Sequence, residues 1–200
     1  MNLMWRLETK TGVYAIKQLS KDIDLSNRAV RNYYELTETI AYHFSKQGIP
    51  AISAMGKRGH HLFEVGGIYF LVYPWVYAKA ISKELISEQE RLKIANMMAK
   101  MHLINIDIPN LSNPGLDNCS TERLLELIDR AKTYHCTFSK DLLVNKSSLV
   151  AMNNASQIAL EVLNETLVVS HGDMDPKNVL WDSLDNPVLI DWECARKVNP

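Results

Sequence analysis

The sequence lacks the features of a membrane, secreted or nucleic-acid-binding protein. Its 200 residues include only three cysteines, which lie far apart and in no metal-binding spacing, so they indicate free thiols in a reducing compartment. The formal net charge is −1, which leaves no basic surface to favour nucleic acid. No apolar run reaches membrane-spanning length, and residues 1–6 do not resemble a secretory signal. We therefore expect a soluble cytoplasmic protein that binds neither nucleic acid nor a membrane.

One stretch near the end of the sequence concentrates polar residues that can carry chemistry. It extends from Ser170 to Asn178 and lies between the apolar runs 167–169 and 179–181. A turn at residues 182–187 and another apolar run then lead to Asp191. This order predicts a loop, a tight hairpin and a carboxylate at the end of a strand, so the hairpin returns Asp191 to the loop.

The polar side chains of this arrangement suit phosphoryl transfer. Asp173 can accept a proton from an attacking hydroxyl, while Asn178 and Asp191 offer the oxygen ligands that Mg²⁺ prefers beside nucleotide phosphates. Kinase catalytic loops use the same order of an acid, an asparagine and a later metal-binding aspartate. One alternative is an ordinary hairpin with turn carboxylates. Another is a metal-dependent hydrolase that uses Asp173, Asp175 and Asp191, although the histidine ligands that such sites often add are missing.

These residues also resemble the catalytic core of a known family. His171-Gly172-Asp173, then Asn178, then Ile190-Asp191-Trp192-Glu193 match the pattern of the aminoglycoside phosphotransferases, a family that includes choline, homoserine and fructosamine kinases. The resemblance implies an α+β, two-lobed protein-kinase-like fold. Its N-lobe, residues 1–76, would hold a small antiparallel sheet and one helix. Its mainly helical C-lobe, residues 77–200, would carry the catalytic loop.

The resemblance implies an activity and a role for each motif residue. The protein would move the γ-phosphate of ATP, with Mg²⁺, to a hydroxyl of a small molecule such as an aminoglycoside, an amino alcohol or a sugar. Asp173 would orient that hydroxyl and take its proton, and His171 would brace the loop by hydrogen bonding. Asn178 and Asp191 would hold Mg²⁺ on the phosphates. For Glu193, support of the loop and contact with a cationic substrate both stay open.

The first residues contain the strands that such an N-lobe requires. Apolar alternation predicts strands at 3–7 and 13–19 around a short turn, and Lys17 lies on the second strand. Taken alone, Lys17 would be a solvent-facing lysine on an edge strand. The kinase-like pattern instead places it at the ATP phosphates.

A helix is predicted after these strands, from Asp24 to Gly48, because its apolar residues recur at helical spacing. In the family, a glutamate of this helix pairs with the strand lysine. Glu35 and Glu38 compete for that role, one turn apart. The distance to Gly48-Ile49-Pro50 favours Glu38 as the partner of Lys17.

A second hairpin, with strands at 61–65 and 68–73 around Gly66-Gly67, leads to the expected hinge. In the family, backbone groups at the hinge meet the adenine of the nucleotide. The residues that the resemblance assigns to the base are three at the hinge and two apolar ones beneath it: Tyr73, Trp75, Val76, Leu180 and Ile190. Further along the chain, apolar patterns predict helices at 87–105, 121–133, 140–143 and 147–163.

Two parts of the family pattern are missing from the sequence. Only Met1 and Asn2 precede the first strand, so we expect most of the loop that covers the phosphates to be absent. The chain stops at Pro200, so the helices that form much of the acceptor pocket would be absent too. This leaves a second function open, a catalytically inactive nucleotide-binding or scaffold remnant, although every catalytic residue is present. The oligomeric state stays open.

Overall fold

The structure is a computed structural model of the chain and describes residues 2–109, 111, 119–163 and 166–200. The strands are β1 (Leu3–Thr9), β2 (Gly12–Gln18), β3 (Phe63–Val65), β4 (Ile68–Pro74), β5 (Lys79–Ala80), β6 (Val168–Ser170), β7 (Val179–Trp181), β8 (Pro187–Leu189) and β9 (Arg196–Val198). The helices are α1 (Arg28–Lys46), α2 (Glu88–Ile104), α3 (Thr121–Thr133), α4 (Ser139–Val144) and α5 (Lys146–Leu163).

The chain divides into two compact units. The first comprises Met1–Leu111 and Val168–Lys197, and the second comprises Ser112–Leu167 and Val198–Pro200. The first unit contains both the larger sheet and the loop after β6, so it does not follow the expected division at residue 76. That division into lobes stays a prediction. Among the described residues, no helix combines the length and the apolar content that crossing a bilayer needs.

An antiparallel sheet in the order β1-β2-β4-β3 carries Lys17. Lys17 on β2 lies opposite Met4 of β1 and Leu71 of β4, and Ala15 lies opposite Tyr73. Residues two apart on a strand face the same side of a sheet, so Ala15 and Lys17 share a face. The sheet therefore places Lys17 opposite the middle of β4, on the same face as Ala15, which lies opposite Tyr73 near the end of that strand.

Helix α1 packs one face against the rest of the first unit. It begins after Asn27, whose side chain accepts a hydrogen bond from the backbone N–H of Ala29 and so satisfies one free donor of the first turn. Just past its end lies Gly48, at φ +82°. The residues that α1 buries recur at intervals of three and four positions and so share one face of the helix: Thr37, Glu38, Ile40, Ala41 and Phe44.

The main hydrophobic core joins α1 and α2 to the strands on either side of the loop at residues 171–178. Its fully buried side chains include Phe44 of α1, Met101 of α2, Leu189 of β8 and Trp192. The rings of Phe44 and Trp192 stack with their centroids 5.5 Å apart. Because Trp192 directly follows Asp191, this core also fixes the segment that carries the second acid.

The hairpin of β7 and β8 forms as the sequence predicts. Val179 pairs with Leu189, and Trp181 pairs with Pro187. In the turn, the Asp182 carboxylate accepts hydrogen bonds from the backbone N–H groups of residues 184 and 186, which is the local bonding that favours aspartate in turns. Strand β5 extends this hairpin to a three-stranded sheet.

In the second unit, α3 packs against α4 and α5. Ile128 and Ala131 supply its buried apolar surface. The Thr121 hydroxyl donates to the side-chain oxygen of Asn154 at 2.6 Å, and Gln157 donates to the carbonyl of Cys119 at 3.1 Å. Polar contacts thus link α3 and its N-terminal flank to α5.

The predicted fold class is confirmed. The antiparallel sheet with its one helix and the later helices are those of a protein-kinase-like α+β fold. The expected helices at 87–105, 121–133 and 147–163 correspond to α2, α3 and α5, and the shorter one at 140–143 corresponds to α4.

Replacing Phe44 with alanine should lower the free energy of unfolding by about 3–5 kcal/mol, because it removes a fully buried ring and leaves a cavity against Trp192. Urea unfolding monitored by circular dichroism measures the change. Tyr42→Ala, at an exposed position of the same helix, is the matched control and should cost far less. Equal losses in the two variants would contradict this packing.

Candidate active site

The loop after β6 makes a turn that only glycine fits. Gly172 has φ +79°, and a Cβ at this position would overlap the carbonyl oxygen of Cys194. Residues with a side chain rarely adopt such a backbone conformation, and here the space is also taken. The glycine of the His-Gly-Asp motif therefore allows the loop to approach the segment after Asp191 closely.

His171 fastens this loop to the strand end that precedes Asp191. Its ring is fully buried, with its centroid 4.5 Å from that of Trp192. The backbone N–H of Asp173 donates to Nδ1 at 3.3 Å, so the proton is on Nε2, which donates to the carbonyl of Ile190 at 2.9 Å. Burial lowers the pKa of His171, which keeps the ring neutral and preserves this pattern. This is the kind of hydrogen bond by which His171 is predicted to brace the loop, and that role stays a prediction.

Asn178 lies against Asp173, as their spacing predicts. Its side-chain N–H₂ group donates both to the backbone carbonyl and to Oδ2 of Asp173, at 2.9 Å each. The carbonyl of Asn178 in turn accepts from the backbone N–H of Ile190 at 3.0 Å. Asp173, Asn178 and the residue before Asp191 are therefore joined by hydrogen bonds.

Asp191 follows β8 in a left-handed conformation, with φ 62° and ψ 64°. Aspartate tolerates this region better than most residues, and unusual backbone conformations are common at functional sites. The Lys17 ammonium donates to Oδ1 of Asp191 and to Oε2 of Glu193, at 2.7 Å in both cases. Lys17 is thus held between two acids from the same short segment.

Lys17 is charged in this environment. Burial by itself lowers its pKa, but the charges and hydrogen bonds of Asp191 and Glu193 outweigh burial, and the pKa lies above its ordinary value. The site therefore presents one buried ammonium beside two carboxylates.

The carboxylate of Glu38 has partners other than the expected one. Among the described residues, the ion pairs of Lys17 are with Asp191 and Glu193 and not with Glu38. Its carboxylate accepts hydrogen bonds from the Tyr73 hydroxyl at 2.6 Å and from the backbone N–H of Ala54 at 2.5 Å. Burial raises the pKa of Glu38. The competing candidate, Glu35, accepts instead from backbone N–H groups of the loop before β3. The assignment of Glu38 to the nucleotide site stays a prediction.

A cavity of about 680 Å³ lies beside Lys17, within the size range of small-molecule sites. Eight of the expected residues line it: Lys17, Tyr73, Trp75, Val76, Asn178, Leu180, Ile190 and Asp191. The other three, His171, Asp173 and Glu38, do not line it.

Several cavity residues were not expected from the sequence. Met4 and Ala15 reach the cavity through the strand register, and Ile52 does so because its N–H is bonded to the carbonyl of Leu189. Of these residues, only Lys177 could have been expected near the site from the sequence, because it follows Asp173 by four positions. Its ammonium lies 3.5 Å from Oδ2 of Asp173. Long-range pairing placed the others.

Gly172→Ala should destabilise the protein more than a comparable change elsewhere. A left-handed backbone alone costs a residue with a side chain about 1–2 kcal/mol, and at Gly172 the overlap with Cys194 adds to that cost. Gly48→Ala is the matched control, because Gly48 has φ +82° with nothing within 4 Å of the added atom. Urea midpoints measure both, and an equal cost would contradict the close approach.

His171→Gln should flatten the acid side of the stability profile. The pKa of His171 is about 6.5 when unfolded and lower when folded, so its contribution is complete above pH 6.5. The contribution is lost as the pH falls below 6.5 through the lowered folded-state pKa, because the unfolded chain then binds more protons. Unfolding of both proteins at pH 5.5 to 7.5 measures this, and parallel profiles would contradict a buried neutral ring.

Comparison with known proteins gives a family and a set of similar folds. The family model of choline/ethanolamine kinase matches residues 18–198, whereas no curated protein matches the sequence. An ethanolamine kinase from Plasmodium vivax is 15% identical with a TM-score of 0.62, over 99% of this chain and 55% of its own. A choline kinase from Streptococcus pneumoniae is 17% identical with a TM-score of 0.56, over 98% and 61%.

A spectinomycin phosphotransferase bound to AMP is 15% identical with a TM-score of 0.59, over 98% of this chain and 63% of its own. The chain thus spans less than two thirds of the length of each of these three proteins. At such identities the structural likeness shows the fold alone. The family model covers most of the chain, and the chain belongs to the choline/ethanolamine kinase family.

Proposed function

We propose that this chain carries the catalytic centre of an ATP- and Mg²⁺-dependent phosphotransferase that acts on a hydroxyl of a small molecule. The observation that carries the proposal is the bonded set of Asp173, Asn178 and the Ile190 peptide, which brings an acid, an amide and Asp191 to one place. Phosphoryl transfer needs positioning and charge stabilisation more than covalent chemistry. This set offers both.

The cavity supports the nucleotide part of the proposal. Leu180 and Ile190 give it apolar surface, and it lies beside the chain that leaves β4. The N–H of Trp75 donates to the carbonyl of Val13, but no hydrogen bond among the described residues engages the backbone of Val76. Val76 thus has a free donor and a free acceptor at an apolar cavity, which suits the polar edge of a base. Similar folds have been solved with AMP and with ADP.

Asn178 and Asp191 fit a magnesium ion. Both of the observed side-chain bonds of Asn178 are made by its N–H₂ group, which leaves its oxygen for a ligand. The described residues contain no group of three or more His, Cys, Asp or Glu that could hold a metal. Two protein oxygens suffice for Mg²⁺, which keeps several waters and binds substrate phosphates. When bound, the ion would neutralise charge on the transferred phosphoryl group.

Asp173 is the residue we assign to the acceptor hydroxyl. The N–H₂ group of Asn178 orients its carboxylate through Oδ2, and its side chain is partly exposed, so a hydroxyl can reach it. The carboxylate then holds the hydroxyl in line and takes its proton as the new O–P bond forms and the bond from the γ-phosphorus to the bridging oxygen breaks, which releases ADP. Lys17, which lines the same cavity as Asn178 and Asp191, supplies positive charge for the phosphates.

The family favours choline or ethanolamine as the acceptor, with aminoglycosides and sugars as the wider class. An ethanolamine kinase and a choline kinase are among the similar folds. We propose an amino alcohol first, because the chain matches the choline/ethanolamine kinase model over residues 18–198.

Asp173→Asn should lower kcat by roughly 10²-fold or more, the usual contribution of a positioned base, while the affinity for Mg–ATP changes little. ATP turnover with choline, ethanolamine, homoserine, aminoglycosides and simple sugars measures the first, and calorimetry measures the second. The matched control is Asp175→Asn, an exposed acid near Lys177, which should retain turnover.

The same experiment decides the reaction class. Turnover that one acceptor stimulates and that Asp173→Asn abolishes would establish a kinase and its substrate. Binding of Mg–ATP without turnover for any acceptor would favour a catalytically inactive nucleotide-binding protein. Equal loss of binding and turnover in Asp173→Asn would contradict the role of Asp173 as the base.

A further inference from the structure

The glutamate expected to pair with Lys17 is already committed to other groups. Both carboxylate oxygens of Glu38 accept hydrogen bonds, one from the Tyr73 hydroxyl and one from the backbone N–H of Ala54. Its side chain is almost completely buried. Moving it towards Lys17 would leave two buried donors without partners, which is costly. Glu38 therefore fastens α1 to β4 and to the loop that follows α1.

Lys17 has a different acid available from the far end of the chain. Glu193 accepts from the Lys17 ammonium at 2.7 Å through Oε2. The backbone carbonyl of Glu193 accepts from the Tyr33 hydroxyl of α1 at 2.7 Å. Between Asp191 and Glu193, Trp192 is packed on Phe44, another α1 residue. Helix α1 thus contacts the segment of Glu193, and Glu193 in turn contacts Lys17.

We propose that Glu193 is the positioning residue for Lys17, and that α1 acts on Lys17 through Tyr33 and Glu193 instead of through a glutamate of its own. The inference rests on the proposed function, in which Lys17 serves the nucleotide phosphates. Asp191 also contacts Lys17, but in the proposed function Asp191 is in addition a metal ligand. Glu193 is the remaining carboxylate that contacts Lys17 among the described residues.

This arrangement has a physical advantage over an isolated lysine. A buried ammonium needs an acid nearby to stay charged and hydrogen bonds to stay aimed. If Asp191 turns to a metal ion, Glu193 alone would hold Lys17 and leave the other donors of Lys17 for phosphate oxygens. Because Glu193 directly follows Trp192, it is fixed by the core and not by a flexible surface segment.

The first test uses the protein without nucleotide. Lys17→Met, Glu193→Gln and the double variant form a double-mutant cycle, read as shifts in the urea midpoint. The shifts should be clearly non-additive, because each single change removes the same contact. The matched cycle of Lys17→Met with Glu38→Gln should show much weaker coupling, because the charge of Lys17 is only the smallest of the influences on the pKa of Glu38. Coupling of Lys17 to Glu38 and not to Glu193, or no coupling in either cycle, would overturn the proposal.

The second test measures Mg–ATP affinity and the KM for ATP. Glu193→Gln should weaken both by roughly tenfold, the effect of losing a hydrogen bond to a charged group, and should change kcat less. In the Lys17→Met background the same substitution should have little further effect. Tyr33→Phe should shift both in the same direction by a smaller factor, since it loosens Glu193 without removing it.

A magnesium titration separates this role from the alternatives. If Glu193 were a metal ligand, Glu193→Gln would raise the Mg²⁺ requirement in the Lys17→Met background too, which would overturn the proposal. An effect on acceptor KM alone would overturn it in favour of contact with a cationic substrate. If the wild-type chain binds no Mg–ATP, the proposed function fails, while the urea cycles still decide which acid holds Lys17.

Discussion

Two hydrogen bonds to the backbone of Ile190, one to its carbonyl and one from its N–H, hold the candidate active site together. The His171 ring donates to the carbonyl of Ile190, and the N–H of Ile190 donates to the carbonyl of Asn178. The next residue is Asp191, so the backbone of this one residue links the segment of Asp173 to that of Asp191. The bond from His171 depends on a neutral ring that also accepts from the backbone of Asp173, and full burial keeps the ring neutral.

The hydrophobic core and the site are one structure. Phe44 stacks on Trp192, and Trp192 also contacts His171, so the packing of α1 extends through Trp192 to the loop after β6. The loop can approach this segment only because Gly172 has no side chain to meet Cys194. Core packing therefore fixes the position of the loop after β6 relative to the segment at Trp192, because side chains in a well-packed interior have little freedom to shift. Hydrogen bonds then orient the polar groups.

The acids of the first unit differ in burial and in their hydrogen-bond partners. Glu38 is enclosed and has two donors of its own, so it serves as a structural link between α1 and β4. Asp191 and Glu193 are partly exposed and share the Lys17 ammonium. A charge in the interior must be paired or hydrogen-bonded, and the nearest free donor decides the pairing. Glu38 and Glu193, which have identical side chains, thus make different contacts.

The sequence by itself determined the local elements and the order of the motif. The β7–β8 hairpin follows from apolar runs around an aspartate turn, and Asn178 lies near Asp173 because only four residues separate them. Only the tertiary structure decided which acid meets Lys17. Glu193 is 176 positions away, and Glu38 is engaged by Tyr73 and Ala54, donors that its own helix does not contain. Local patterns specify which groups are present, but partners in a buried network depend on which competing donors packing brings within reach.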